Sequence, residues 1–206
     1  MLINVIIIIC NWLYTGLTCC QNFAFLAKSP TVVKHAFKIG WAINIYWLLF
    51  GWWFAWYGNI AITVYFVFLN WYGNRQWGNK PIKSTKLPYI ALSIGIALTL
   101  AVNIYTNQLW HNIPSTINCF NSMLYAVTYT LFAMGAKYQR LAQKLKLINL
   151  VAYIPMVCMV QPILYGCAIR QTFMVGLYVY KLWGKQIHAY CNKYAIAKLQ
   201  YATVTW

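Results

Sequence analysis

Seven apolar stretches of about twenty residues, separated by short clusters of lysine and arginine and nowhere by an acid, constrain this 206-residue chain more than any motif within it. It carries 16 Lys and Arg and no Asp or Glu, whereas an average chain is about one quarter charged with both signs present. Apolar residues make up 62% of it and aromatics 18%, more than a soluble domain can cover. A bilayer can accommodate them, because a helix of about twenty residues crosses its ~30 Å core with every backbone group paired internally. The expectation is an all-α membrane protein of seven transmembrane helices.

Charge, Gly and Pro break the chain into segments at 3–26, 31–51, 57–77, 87–106, 113–135, 143–163 and 166–186. The second and third are joined by a tight turn at WWFAW. Basic residues alternate from one connection to the next. The first holds Lys28, Lys34 and Lys38, and the second none. The third holds Arg75, Lys80, Lys83 and Lys86, and the fourth only His111. The fifth holds Lys137, Arg140, Lys144 and Lys146, and the sixth at most Arg170. The C-terminal stretch carries Lys181, Lys185, Lys193 and Lys198. The positive-inside rule then places the N-terminus outside and the C-terminus in the cytoplasm, the parity that seven crossings require. Leu2 to Cys20 has the apolar character of a signal peptide but no positive start, and Asn4 and Asn11 interrupt it, so it reads as the first spanning helix.

Several function classes are excluded. The basic residues form no continuous stripe and no recognition motif accompanies them, so no nucleic-acid partner is expected. The seven cysteines lack CxxC or metal-ligand spacing with the three histidines and read as packing residues. No carboxylate dyad, Ser/His/Asp set or phosphate-cradling glycine loop is present, so neither an enzyme nor a cofactor is expected. Coupling to protons or sodium generally uses an intramembrane carboxylate, and this chain has none.

A weak repeat runs at an offset of about 105 to 108 residues. Tyr57-Gly58 matches Tyr165-Gly166, Trp77-Gly78 matches Trp183-Gly184, and Asn44 corresponds to Asn149. This divides one transmembrane domain into a first three-helix repeat (1–80), a linking helix (81–110), a second three-helix repeat (111–190) and a cytoplasmic tail (191–206). Four helices per period make the repeats parallel, a SWEET-like arrangement that puts a substrate site near the midplane between them.

The motifs INIYWLLF, YGNIAITVYFVFLNWYGNRQWG and NCFNSMLYAVTYTLFAMGAKYQ give the chain its resemblance to the PnuC family of bacterial inner-membrane nicotinamide riboside transporters. The family pattern has acids where this chain has Asn59, Asn118 and Gln139, and a Trp pair where it has Ala142 and Leu145. Either acids have been exchanged for amides, or the chain is naturally acid-free. The resemblance implies facilitated diffusion with alternating access, a small-molecule substrate, a lipid surround and room for a homo-oligomer, although no GxxxG motif marks a dimer face. Nicotinamide riboside is a flat cation on a polyhydroxylated sugar, served by aromatic faces and by neutral amides and phenols.

Asn44 and Asn149 are the first site residues expected. Each is an amide in an apolar span that either contacts ligand or glues helices together. Tyr46 and Trp47 share the Asn44 helix and offer rings. Asn70 lies deep in the third segment, with Gln76 nearer its cytoplasmic end. Asn121, Tyr125 and Tyr129 recur every four residues as one stripe, facing either a cavity or a neighbouring helix. Trp52, Trp53, Trp56, Trp77, Trp110 and Trp183 read as interfacial anchors, and the basic clusters as topology signals with a second attraction to anionic lipid. His35, His111 and His188 stand near boundaries, and Pro155 and Pro162 are expected to kink the sixth helix. The alternatives are another small vitamin or sugar, such as thiamine, as substrate, or a structural subunit with no substrate of its own.

Overall fold

The computed structural model describes residues 2–53, 57–78, 82, 86–106, 113–160 and 165–204, with side chains left out at 2–8, 11, 50–51, 53, 58–59, 113–115, 118, 156–160, 165–168 and 192–204. The first two residues of the expected WWFAW turn, Trp52 and Trp53, are helical, while 54–56 with Trp56 lie outside the described residues, as do Trp110, His111 and Pro162. The side chains of Trp53, Asn59 and Asn118 also lie outside them.

The described chain is all helical. Its α-helices are α1 (Leu2–Leu26), α2 (Pro30–Trp53), α3 (Tyr57–Gln76), α4 (Lys86–Tyr105), α5 (Ile113–Ala133), α6 (Gln139–Val160) and α7 (Tyr165–Val204). Local chemistry sets several ends. Ser29-Pro30 opens α2: the proline pre-sets the first helical φ, and the Ser29 carbonyl accepts from the Val33 N–H at 3.1 Å. At the end of α5, Gly135 takes φ +110, a left-handed conformation that glycine adopts without a Cβ clash. One 3-10 turn at Ala136–Tyr138 follows before α6 starts at Gln139, earlier than the residue 143 expected from hydropathy. The largest departure is α7. It continues as 40 helical residues through most of the stretch expected to be a tail.

Helix α2 packs between α1 and α3, and α6 between α5 and α7. The two groups meet through α3 against α5 and α1 against α7, while α4 lies on α3 and α5. Exchanging α1, α2 and α3 for α5, α6 and α7 reproduces the packing within each group and the α3–α5 and α1–α7 contacts, but not the position of α4. The tightest apolar packing joins Phe25, Phe37, Leu69, Tyr72 and Phe132, all essentially buried. Close backbone approach allows it. A Cβ on Gly73 would lie 2.3 Å from the Phe37 ring, and one on Gly95 would lie 2.8 Å from Tyr65.

Beside this apolar core, several polar side chains are buried and several large apolar ones exposed. Among the described residues Gln21, Asn44, Asn70, Asn121, Lys146, Asn149 and Arg170 are buried. Meanwhile Trp12, Leu13, Ile45, Ile94, Ile104, Ile169 and Phe173 are exposed. By length and apolarity, one helix among the described residues, Lys86–Tyr105, qualifies as able to cross a membrane.

Candidate functional site: a polar cavity among six helices

Polar side chains on the inner faces of the helices need partners, because an unpaired buried amide costs several kcal/mol. Much of this need is met between helices. The Tyr129 hydroxyl donates to Asn70 Oδ1 at 2.5 Å and accepts from Gln21 Nε2 at 2.8 Å. Gln21 Nε2 also reaches the Ala36 carbonyl at 3.1 Å, and the Tyr125 hydroxyl donates to Gln21 Oε1 at 3.3 Å. One network therefore ties α1, α2, α3 and α5 together. On the α6 side, Asn149 Nδ2 donates to the Asn121 carbonyl at 3.0 Å and to Asn121 Oδ1 at 2.7 Å.

These groups border a cavity of about 100 Å³ to which α1, α2, α3, α5, α6 and α7 all contribute. Of the residues expected from sequence, Asn44, Trp47, Asn121, Tyr125, Tyr129 and Asn149 line it. Three do not. Tyr46 stands behind the wall, stacked on the cavity-lining Tyr14 with ring centroids 4.5 Å apart. Asn70 is fully buried and meets the cavity wall at Tyr129 and Gly40. Gln76 lies at the far end of α3, where its Oε1 accepts the Ile82 N–H at 3.0 Å. Ala142, where the family pattern has a tryptophan, is buried in the apolar core.

Two cations read from sequence as topology signals also border the cavity. Lys146 is 6% exposed and Arg170 is 5% exposed, and both line the cavity. Lys146 Nζ stands 3.9 Å from the centroid of the Tyr125 ring and 3.5 Å from Asn149 Oδ1. Arg170 Cζ stands 5.2 Å from the Tyr14 ring centroid. Two of the cavity's tyrosine faces, those of Tyr125 and Tyr14, thus already carry the chain's own cations. The sequence did contain a signal for Lys146, which lies one helical turn before Asn149 on the same face. Gln21, Asn22 and Gln171, further polar lining residues, were likewise missed inside apolar runs.

Among the described residues no cluster of His, Cys or acidic side chains could hold a metal ion, and Cys10, Cys19, Cys20, Cys119 and Cys191 are free thiols. The arrangement can bind: it combines amides, phenols and cations against aromatic walls, with no nucleophile–base pair among the described groups. Comparison with protein-family models, with curated proteins and with solved structures finds no match to this chain.

Proposed function

We propose that this chain is a multi-pass membrane transporter whose small-molecule substrate occupies the six-helix cavity by turns open to either side. The observation that carries the reading is that cavity, bordered by amides, phenols and two cations on helices that expose large apolar side chains outward. A polar interior under an apolar exterior suits lipid as the surrounding solvent. The exchange relation between α1–α3 and α5–α7 supports two parallel three-helix repeats joined by α4, with the site between them. The alternating basic connections support a bacterial inner-membrane orientation with the N-terminus outside and the C-terminus inside. Lipid is the second partner. Lys28, Arg140 and Lys181 line one pocket on the expected cytoplasmic side, where α1 ends, α6 begins and α7 passes, and where anionic headgroups would gather.

The resemblance to the PnuC family supplies the first substrate to test, nicotinamide riboside moving by facilitated diffusion without catalysis or a cofactor. Purified protein in liposomes should take up labelled nicotinamide riboside saturably, with no response to an imposed proton or sodium gradient. Asn44→Leu should abolish uptake. A nicotinamide riboside flux equal to that of empty liposomes would sink this substrate, and thiamine and simple sugars are the next to try. A second reading, a structural membrane subunit, is favoured by the Gln21–Tyr129–Asn70 network, which spends polar groups on helix contacts. Absence of saturable uptake for the whole panel would favour it.

A further inference from the structure

From the cations that line the cavity we infer that its ligand is an anion, with a carboxylate or phosphate group seated at Lys146. This rests on the reading of the cavity as a substrate site. Lys146 and Arg170 are both more than nine-tenths buried, on different helices, and face one cavity. The chain has no acidic side chain with which Lys146 could form an ion pair. A buried charge without a counter-charge is costly, and two like charges around one small space repel each other. The contacts of Lys146 only partly offset this. Its ammonium has three N–H donors, faced by one amide oxygen at the long distance of 3.5 Å and by the Tyr125 ring.

Asn44 adds an independent observation. It lines the same cavity, is 4% exposed, and its Nδ2 has no hydrogen-bond partner among the described residues. An unused neutral donor beside two cations calls for a ligand rich in acceptors. Carboxylate and phosphate oxygens satisfy both needs, because they accept several hydrogen bonds and carry the missing charge. A permanently cationic solute would add a third positive charge to the cavity. Trp47 also lines the cavity and offers a ring to the rest of the ligand, so a small aromatic carboxylate or phosphate is the class that fits.

The test titrates detergent-purified protein with benzamide, benzoate and phenyl phosphate, which share a ring and differ in charge, and with nicotinamide riboside in parallel. Benzoate or phenyl phosphate should bind at least about tenfold more tightly than benzamide, the margin expected of one charge-assisted hydrogen bond over a neutral one. Whichever is tighter identifies the anionic group. Lys146→Gln should erase the margin and Lys146→Arg should retain most of it. Rising salt should weaken the anion and leave benzamide unchanged. Since the benzamide comparison uses the unaltered chain, a misfolded variant leaves it decisive. Equal binding of all three, or a margin that survives Lys146→Gln, overturns the inference. Saturable nicotinamide riboside binding without anion binding overturns it while keeping the transporter. Lys146-dependent anion binding without nicotinamide riboside binding upholds it and removes only that substrate.

Discussion

Side-chain amides in this chain act as donors that a carboxylate could not replace. Gln139 shows this most directly. Its Nε2 donates to the Phe25 carbonyl at 3.1 Å and the Ala27 carbonyl at 2.8 Å, and Gln143 Nε2 reaches Phe25 again at 3.1 Å. Together they satisfy the Phe25 carbonyl in the last turn of α1 and the Ala27 carbonyl just beyond it. Gln139→Glu would replace a donor with oxygens facing oxygens. It should cost about 1–3 kcal/mol, read as a lower melting temperature in detergent. Tyr129 is the other residue with a double role. Tyr129→Phe keeps the ring packing but deprives Asn70 Oδ1 of a donor and Gln21 Nε2 of an acceptor. A loss of about 1–3 kcal/mol is expected, again as a lowered melting temperature, because both partners are buried.

At the scale of the element, α2 and α3 approach closely because glycines remove side chains where they meet. Gly40 admits Asn70 and the Tyr129 hydroxyl, whose atoms would lie 2.2 and 2.6 Å from an added Cβ. Gly73 admits the Phe37 ring, which has no space to retreat into, being fully buried. Gly73→Ala should therefore cost about 1–3 kcal/mol from overpacking, measured by thermal unfolding. Gly176, with nothing within 4 Å of its added Cβ, should tolerate the same change and serves as the control. A third contact fixes α3 on α5: Trp77 Nε1 donates to the Phe132 carbonyl at 2.7 Å. Trp77, expected as an interfacial anchor, is buried and binds protein.

For the whole molecule, the length of α7 is the most testable feature. Its 40 residues span about 60 Å, twice the ~30 Å of a bilayer core, so its second half projects beyond any membrane that its first half crosses. Cys191 is exposed on that second half. With the C-terminus cytoplasmic, a membrane-impermeant maleimide should label Cys191 in inside-out vesicles and leave it unlabelled in sealed right-side-out ones. Cys191→Ser identifies the band. The reverse pattern would invert the proposed topology.

The positions of all seven helices were legible in the sequence, because an apolar run of about twenty residues ending at Gly, Pro or charge has few other ways to pair its backbone. The stripe of Asn121, Tyr125 and Tyr129 and the matched Asn44 and Asn149 were legible as well, through helical spacing and repetition. Three things were not. The end of α7 escaped because hydropathy marks where lipid stops, whereas a helix stops where its backbone hydrogen bonds do. Tyr46, Asn70 and Gln76 were placed at the site by their polarity, but their depth along a helix does not say which way they face. Lys146 and Arg170 were counted by charge alone, and whether a cation near a helix end turns to water or to the interior depends on which neighbours pack around it. The helices were thus written in local pattern, while the charge of the cavity was decided only by tertiary packing, since burial is a property of several helices together.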